Sequence, residues 1–442
     1  MTELTASAVA TPTARVHAAY RRLALEERPE AWIHVRDERE ALAEAGLVER
    51  RLDRGEPMPL AGATVAVKDN IDVAGLPTTA ACPAFAYLPD RDAVAVARLR
   101  AAGAIVLGKT NLDQFATGLA GTRSPYGAVR DARDPARVAG GSSSGSAVAV
   151  ALGIADIGLV TDTAGSGRVP AAFQGIVGIK PTPGLVPATG VVPASRSFDC
   201  VGVLARDLVA ARRAMSVLSD ARPLARRASP TAKVFPRLAV ASPEQLTALS
   251  PGTAAALARL ERQLVDELGA QLMTVDLQPF LDAGDLLYGG ALVAERYAAV
   301  GRFIAANRAA VDPSVAEIVL AAQSISIAEQ RRDHRRLRQL RATATEAIAG
   351  CDALLLPTAP FQPTMSEVAR DPLGVVRRLG TYTTHCNVLG MCAITLPAGE
   401  ADGGRFGITL YAPASEDEPV ARLAARIASR DPVLRVDSRV RP

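Results

Sequence analysis

The chain has 442 residues, of which 49% are hydrophobic, so it can bury a large core in one large domain or two ordinary ones. Its formal net charge of +4 is small for this length, and its arginine runs are typical of a solvated helix face, which argues against nucleic-acid binding. The five cysteines form no CxxC pair, and no signal-peptide pattern or bilayer-length apolar run is present, so we expect free thiols, no metal site and a soluble cytoplasmic protein without a membrane partner.

The first half of the chain alternates between predicted helices and strands. Residues 1–14 predict a disordered tail, and residues 15–55 predict two helices. A strand in "ATVAVKDNID" precedes a helix, a glycine stop and a second strand over residues 93–109. A small apolar helix is predicted after "GGSSSGS", and buried strands are predicted at residues 157–161 and in "GIVGIKPT". This alternation predicts an α/β fold in which helices cover both faces of the sheet.

The second half of the chain is predicted to be mostly helical, with strands near its end. Residues 209–232 are rich in Arg, Ala and Pro and predict an exposed connection. Leucines spaced by 3, 4 and 4 predict a helix over residues 253–269, and residues 283–350 are predicted to be mostly helical. The stretches "LMTVDL", "ALLLP" and "GRFGITLY" predict strands. Because we find no repeat and no clean linker, we expect one domain over residues 1–442.

A loop of small residues follows the predicted strand at 157–161 and contains Ser166. To act as a nucleophile, a serine needs a base within reach and donors aimed at the developing oxyanion. Small residues allow a tight turn here that would point several backbone N–H groups into one concavity. The candidate oxyanion-hole donors are the N–H groups of Thr163, Ala164, Gly165 and Ser166. The alternative is a strand-to-helix turn that contains an incidental serine.

The base that would activate Ser166 is not evident among the histidines. None of them lies in a recognised triad context; they are His17, His34, His334 and His385. Lysine is the other candidate, although its pKa of about 10.4 keeps it protonated at neutral pH unless burial lowers that pKa. Lys68 directly follows the apolar "TVAV" in a chain that uses lysine only rarely. The alternative is that Lys68 is a surface charge.

The serine-rich stretch "GGSSSGSA" at residues 140–147 has several interpretations. A flexible linker is disfavoured because an apolar segment continues directly from it. A phosphate-binding loop is disfavoured because the stretch lacks the GK[ST] ending. It remains either a helix N-terminus with several capping hydroxyls or a hydroxyl relay that carries a proton between a lysine and a nucleophile.

Taken together, three motifs resemble those of the amidase signature family. They are Lys68 in "VAVKDN", Ser142 in "GGSSSGSA" and Ser166 in "TDTAGSGRVPA", with the serines 166 − 142 = 24 residues apart. The resemblance extends over about residues 20–425 and implies an amidase-signature fold, an α/β fold with a large mixed β-sheet covered by α-helices on both faces. It also implies that Ser166 attacks an amide carbonyl and that Lys68 is the general base. The resemblance further implies that Ser142 is preceded by a cis peptide bond and bridges the two.

Within this family, the sequence most resembles the allophanate hydrolase branch. The similar stretches are "NLDQFATGLAGTRSPYG", "GGSSSGS", "GSGRVPAAF" and "LLYGGALVAERYAAV". The resemblance implies that Tyr288, Arg296 and Gly118 bind the substrate, the first two through its carboxylate. Arginine suits this role because its guanidinium binds carboxylates in a bidentate fork. The alternative is that Arg296 pairs with Glu295 or with solvent.

Several features depart from the pattern of that branch. Val160 stands where glycine is usual before "TDT", and Ser195 stands where cysteine is expected. The stretch "TTHCNVLGMC" at residues 383–392 is also unusual and contains His385 and Cys386 near the expected pocket wall. We further expect no additional C-terminal domain. These departures leave room for a substrate other than allophanate.

The sequence therefore predicts a single amidase domain, with a signature core at residues 56–208 and a mostly helical substrate-side region at residues 240–350. The expected reaction is hydrolysis of allophanate to N-carboxycarbamate and ammonia, as in urea degradation. We expect no cofactor, a small-molecule amide substrate that carries a carboxylate, and a homodimer. The alternatives are an amidase for another small carboxylated amide or ureido acid, an amidotransferase subunit, and a non-catalytic scaffold.

Overall fold

The computed structural model describes residues 10–219 and 235–430, which contain 11 strands and 16 α-helices. The strands are β1 (Trp32–Val35), β2 (Thr64–Lys68), β3 (Ile105–Thr110), β4 (Ile157–Asp162), β5 (Val177–Lys180), β6 (Cys200–Ala205), β7 (Arg237–Ala241), β8 (Gln271–Val275), β9 (Ala353–Pro357), β10 (Cys392–Ala401) and β11 (Gly404–Ala412). The helices are α1 (Pro12–Glu26), α2 (Glu38–Asp53), α3 (Val94–Ala101), α4 (Ser144–Ala151), α5 (Arg168–Gln174), α6 (Leu208–Leu218), α7 (Pro251–Leu268), α8 (Gln278–Tyr288), α9 (Ala294–Arg296), α10 (Arg302–Ala306), α11 (Pro313–Leu320), α12 (Ile327–Ala347), α13 (Met365–Arg370), α14 (Gly374–Leu379), α15 (His385–Val388) and α16 (Asp417–Arg430).

The strands of the described chain form one sheet in the order β1-β3-β2-β4-β6-β5-β10-β11-β9-β7-β8. β2 pairs in parallel with β3 and β4, and β7 pairs in parallel with β8 and β9. The pairings that join β4 to β9 through β6, β5, β10 and β11 are antiparallel. The sheet is therefore large and mixed, as predicted.

Helices pack against both faces of this sheet. In β2, Val67 packs in a cluster with α3, α6, α7 and α16, whereas its neighbour Ala66 packs with α4 on the other face. In β9, Leu355 faces the first cluster, whereas Leu354 and Leu356 pack with α8 and α12. Side chains that alternate between two clusters show that both faces are covered, which confirms the predicted α/β architecture.

The sheet brings the ends of two separate sequence motifs together. Lys68 is the last residue of β2, and Asp162 is the last residue of β4. Because β2 and β4 are parallel neighbours, with Val67 opposite Leu159, their carboxyl ends lie at the same edge of the sheet. The serine-rich stretch leads into α4, and the loop that contains Ser166 connects β4 to α5. The three sequence motifs expected to form the site are therefore found near this edge of the sheet.

Helix α7 confirms the helix that the leucine spacing predicts over residues 253–269. The Ser250 side chain accepts from the N–H of Thr253, Pro251 occupies the first helical turn, and Gly269 ends the helix in the left-handed conformation at φ 62°. The face formed by Leu257, Leu260 and Leu264 is buried against the sheet. These signals start and stop the helix near the predicted bounds.

Two predicted segments differ from the structure or lie partly outside it. Helix α1 begins at Pro12, inside the segment 1–14, and residues 1–9 of the expected tail lie outside the described residues. The expected exposed connection at 209–232 begins instead as α6, whose apolar face is buried, and residues 220–234 lie outside the described part. In the described chain, none of the helices has the length and apolar character needed to cross a membrane.

Candidate active site

Lys68 is completely buried at the end of β2 and faces three acceptors. Its Nζ atom donates to Ser142 Oγ at 2.8 Å, to Thr161 Oγ1 at 2.8 Å and to the Thr161 carbonyl oxygen at 3.2 Å. Among the described residues, no carboxylate forms an ion pair with this amine. Lys109, another buried lysine, differs because it pairs with Asp69 at 2.8 Å. The interpretation of Lys68 as a surface charge is therefore excluded.

Burial lowers the pKa of Lys68 from its ordinary value of 10.5 to about 7. The more distant carboxylates of Asp162, Asp113 and Asp199 oppose this effect by raising the pKa, whereas the positive charge of Arg296 lowers it further. Near neutral pH, a substantial fraction of the Lys68 amine is therefore unprotonated. An unprotonated amine at hydrogen-bond distance from a hydroxyl can accept its proton.

Ser142 lies between Lys68 and the loop that contains Ser166. The Gly141–Ser142 peptide bond is cis. The backbone N–H of Ser143 donates to the carbonyl oxygen of Ser166 at 3.1 Å, which holds the two serine-containing segments side by side. A Cβ atom on Gly141 would lie 2.2 Å from Asp113 Oδ2, so only glycine fits beside this carboxylate. In the described residues, the hydroxyls of Ser142 and Ser166 do not form a direct hydrogen bond with each other.

The Asp162 carboxylate shapes the loop around Ser166. It accepts the backbone N–H groups of Gly165 at 2.9 Å, Gly167 at 3.0 Å and Arg168 at 3.2 Å. The Gly165 N–H is therefore already bound and is not available to an oxyanion, which corrects the expectation that it is one of the donors. In the described chain, the N–H groups of Thr163, Ala164 and Ser166 have no protein acceptor. These three remain candidate oxyanion-hole donors.

A buried ion pair between Arg168 and Asp162 stabilises this loop. Arg168 donates to Asp162 at 2.7 Å and 3.0 Å, and it also donates to the Thr383 carbonyl and to Asn387 Oδ1. The Asp162 pKa is held well below its usual range because the Arg168 guanidinium outweighs the effect of burial. Thr383 Oγ1 in turn donates to the Ala164 carbonyl at 2.7 Å. The loop is thus bonded both within itself and to residues 383–387.

Arg296 is 1% exposed and lies near the buried lysine. Its guanidinium donates to Thr117 Oγ1 at 2.9 Å and to the Tyr288 hydroxyl at 3.0 Å, while its Nε atom has no partner in the described residues. No ion pair with a described carboxylate compensates its charge. Glu295 instead accepts from Ser195 Oγ at 2.8 Å and from the Ser197 N–H at 2.9 Å. The alternative that Arg296 pairs with Glu295 is therefore wrong.

The structure gives Gly118 a packing role. A Cβ atom at this position would lie 2.4 Å from Asp113 Cγ, so a side chain would collide with that carboxylate. Asp113 itself accepts the N–H groups of Gly121 at 3.0 Å and Arg123 at 2.9 Å, which orders the loop. The neighbour Thr117, rather than Gly118, contacts Arg296. Substrate contact by Gly118 therefore remains a prediction.

His385 and Cys386 lie in the core rather than on an open surface. The His385 ring is 5.4 Å from the Phe280 ring and 4.7 Å from the Tyr411 ring, measured between centroids. Burial, together with the charge of Arg168, lowers the pKa of His385 from 6.5 to about 3, so the ring is neutral. This unusual stretch supports the Ser166 loop through Thr383 and Asn387.

Sequence reasoning missed four residues that surround the expected groups. They are Asn70, Asp113, Thr117 and Thr161. Thr161 offered a signal because it is a polar side chain that follows the apolar stretch Ile157–Val160 in strand β4. The roles of the others depend on contacts between segments far apart in sequence, such as the 179 residues between Thr117 and Arg296. The described residues contain no group of three or more His, Cys, Asp or Glu side chains able to hold a metal ion.

Comparison with known proteins gives a consistent result. The family described as Amidase matches residues 14–420. The urea amidolyase of Lachancea kluyveri is 41% identical over 407 residues, which cover 90% of this chain and 22% of that protein. A glutamyl-tRNA(Gln) amidotransferase subunit of Symbiobacterium thermophilum is 35% identical, with 83% of this chain and 82% of that protein covered. The chain thus spans about a fifth of the length of the urea amidolyase.

Solved structures show the same fold. The structure of Kluyveromyces lactis allophanate hydrolase superposes with a TM-score of 0.85 at 36% identity, covering 95% of this chain and 71% of that chain. The structure of K. lactis urea amidolyase superposes with a TM-score of 0.87 at 36% identity, covering 95% of this chain and 26% of that chain.

Proposed function

Because the chain belongs to the amidase signature family, we propose that it hydrolyses a small carboxylated amide, with Ser166 as nucleophile, Ser142 as proton relay and Lys68 as general base. The observation that carries this proposal is the 2.8 Å contact between Lys68 Nζ and Ser142 Oγ in a buried setting without an ion-paired carboxylate. A buried lysine whose pKa is lowered toward 7, beside a hydroxyl, is suited to act as a general base. A purely structural role would not require this arrangement.

In the proposed mechanism, protons move from Ser166 toward Lys68 during the attack. Ser142 gives its hydroxyl proton to Lys68 and takes the proton of Ser166. The Ser166 oxygen forms a bond to the amide carbon, whose carbonyl oxygen becomes an oxyanion. The free N–H groups of Thr163, Ala164 and Ser166 are the donors available to stabilise this charge. Collapse of the intermediate breaks the C–N bond, and the proton returns through Ser142 to the leaving amine.

The second half of the reaction regenerates the enzyme. A water molecule attacks the acyl ester on Ser166 after giving its proton to the same relay, and the acid product leaves as the serine recovers its proton. For allophanate, the balance is one water consumed, one ammonia released and N-carboxycarbamate formed. No metal or redox cofactor is required by this sequence of steps.

Arg296 supports a substrate that carries a carboxylate. A buried guanidinium without an ion-paired carboxylate is costly unless an anion joins it, and a substrate carboxylate supplies that anion. Tyr288 lies beside it, with its hydroxyl at 3.0 Å from the guanidinium. Allophanate combines a urea group with a carboxylate, and the similarity to urea amidolyase favours it over other small carboxylated amides or ureido acids.

A second candidate is a component of an amidotransferase, since the similar glutamyl-tRNA(Gln) amidotransferase subunit is 35% identical and its length is largely covered. Such a component would pass ammonia to a partner. Release of ammonia from glutamine at a higher rate than from allophanate would favour this candidate, whereas rapid release from allophanate without any partner supports the hydrolase.

The proposed chemistry is tested by trapping the acyl-enzyme and mapping the modified residue by mass spectrometry. We expect the adduct on Ser166 and no turnover by a folded Ser166→Ala variant. An adduct on any other residue, or full turnover by Ser166→Ala, would remove Ser166 from its proposed role. Thermal unfolding of the variant should match the wild type, which separates loss of chemistry from loss of structure.

A further inference from the structure

The segment that contains Arg296 is an irregular helical run. A 3-10 turn at Ala291–Val293, the three-residue helix α9 and a π-helical turn at Tyr297–Gly301 follow one another and continue into α10 with helical φ and ψ angles. The Asp333 carboxylate accepts the N–H of Ala291 at 2.7 Å, which holds the start of this run. The changes from 3-10 to α to π hydrogen bonding make the run less regular than a single α-helix. Contacts with other segments therefore add to what positions Arg296.

Glu295 makes such a contact with the loop at residues 194–199. Its Oε2 atom accepts both the Ser195 hydroxyl and the Ser197 N–H, at 2.8 Å and 2.9 Å. Ser195 is fully buried, so its hydroxyl is held in one environment. Ser195 is also the residue that stands where cysteine was expected, and a thiol is a weaker donor than a hydroxyl.

The same loop is attached to the segment that leads to the nucleophile. Asp199 accepts the Thr163 hydroxyl at 2.5 Å, and its carboxylate also accepts the N–H groups of Ala194 and Ser195. Thr163 lies three residues before Ser166. The loop at residues 194–199 thus bonds to Thr163 through Asp199 and to Glu295, the neighbour of Arg296, through Ser195 and Ser197.

We propose that the hydrogen bonds of Glu295 to Ser195 and Ser197 form a latch that sets the position of Arg296 relative to Ser166. This makes Glu295 and Ser195 positioning residues for substrate specificity. The inference rests on the proposed carboxylate-binding role of Arg296. A small substrate is held at both ends, by its carboxylate and at its reacting carbonyl, so a displaced Arg296 would bind the carboxylate less well in the ground state and the transition state alike.

The test compares Ser195→Ala and Glu295→Ala with the wild type, using allophanate and the neutral amide biuret as substrates. We expect KM for allophanate to rise about tenfold, the low end of what a lost charge-assisted hydrogen bond gives, with kcat little changed. Biuret, which has no carboxylate, should show less than about a twofold change in kcat/KM. Glu295→Gln retains an acceptor oxygen and should recover most of the loss.

A matched control removes a comparable bond elsewhere. Ser250 Oγ donates to Asp402 Oδ2 across 152 residues of sequence, so Ser250→Ala loses a long-range serine–carboxylate bond, together with the N-cap of α7, away from the proposed site. It should leave the preference for allophanate unchanged. A change in preference equal to that of Ser195→Ala would show a general effect of stability and overturn the proposal.

Amide hydrogen exchange over residues 291–302 measures the latch without relying on turnover. We expect faster exchange there in Glu295→Ala than in the wild type and in Ser250→Ala. Unchanged exchange would overturn the latch even if the wild type prefers allophanate. Faster exchange with unchanged KM for allophanate would overturn its role in specificity. If the wild type shows no preference for carboxylated amides, the proposed substrate fails, and the exchange result still decides whether the latch restrains this segment.

Discussion

The Thr161 side chain controls where the lone pair of Lys68 points. A protonated lysine has three N–H groups for its three acceptors, whereas the neutral amine has two. The Thr161 carbonyl can only accept, and Thr161 Oγ1 accepts from Lys68 while it can donate toward Asn70 Oδ1 at 3.4 Å. When both N–H groups of neutral Lys68 turn to Thr161, the lone pair faces Ser142. Thr161 is therefore placed to orient Lys68 in its proposed role as base.

We predict that Thr161→Val lowers the plateau of kcat by roughly 10- to 100-fold, part of the 10²- to 10⁴-fold that a positioned base contributes. The rate should rise with pH through the pKa of Lys68, which is about 7 in the wild type. Loss of one acceptor disfavours the ammonium form, so the rise should move to lower pH in Thr161→Val. Thr161→Ser should restore both properties, as measured by pH–rate profiles.

A buried threonine remote from this chemistry provides the control. Thr395 in β10 is fully buried and shares a 2.8 Å hydroxyl contact with Thr409. Thr395→Val should leave the pH–rate profile unmoved. A rate loss in Thr161→Val with no shift in the profile would indicate only a structural role for Thr161.

Burial of Lys68 also makes the stability of the fold depend on pH. The pKa of Lys68 is about 7 in the folded protein and about 10.4 in the unfolded chain, so between these values the unfolded state binds more protons. The unfolding free energy should therefore rise with pH across this window. Relative to Lys68→Met, the wild type should gain about 2–3 kcal/mol between pH 7 and pH 9, as measured by chemical denaturation. A constant difference between the two proteins across this window would contradict a lowered pKa.

At the scale of elements, the loop between β4 and α5 leaves no space at Gly165. This residue has φ 125°, and an added Cβ atom would lie 2.4 Å from Thr383 Oγ1. Thr383 belongs to the stretch that supports the Ser166 loop, so neither side can move without disturbing the other. The loop depends on both the backbone conformation and this close approach.

We predict that Gly165→Ala lowers kcat by at least about tenfold and reduces the unfolding free energy by roughly 2–4 kcal/mol, since backbone strain and a steric clash add. The control is Gly184→Ala, where φ is 81° and no atom lies within 4 Å of the added Cβ. It should cost only about 1 kcal/mol and leave kcat unchanged. Equal effects of the two substitutions would mean that the close approach to Thr383 is unimportant.

Local sequence patterns predicted the strands and helices whose apolar runs, residue spacing or caps are clear. Apolar runs were sufficient to predict β2, β4, β9 and β11, and the leucine spacing was sufficient to predict α7. In these stretches, burial and capping are encoded locally. Strands β1, β6, β7 and β10 were missed. β1 is a four-residue edge strand, and β10 contains Pro397 and an irregular pairing with β11, so neither carries a clear alternating pattern.

The candidate site residues were predicted from motifs, whereas the residues around them were not predicted. Lys68 and Ser142 are 74 residues apart, and the packing of α4 against β2 brings them together. The binding of the Gly165 N–H by Asp162 and the binding of Glu295 by Ser195 are tertiary contacts that no local pattern encodes. Because of these contacts, the Gly165 N–H is not among the candidate oxyanion donors, and Glu295 does not pair with Arg296.

At the scale of the whole molecule, one sheet connects residues from both halves of the chain. β10, near the end of the chain, pairs with β5, so the strands around Lys68 and those around β9 are joined through the middle of the sheet. We propose that the chain unfolds as one amidase domain. Calorimetry should give a single endotherm that coincides with loss of activity, and two separated transitions would contradict this.

The most direct test of the central claim measures ammonia release from allophanate and from biuret by the wild type, Arg296→Ala and Arg296→Met. We expect the wild type to prefer allophanate. Loss of the guanidinium should lower kcat/KM for allophanate roughly 10- to 150-fold, as expected for a charge-assisted hydrogen bond worth about 1.5–3 kcal/mol, with much less effect on biuret. Arg296→Met keeps most of the buried volume, so agreement between both variants excludes a packing defect. Equal losses on both substrates, or a wild-type preference for biuret, would contradict a carboxylate-directed amidase.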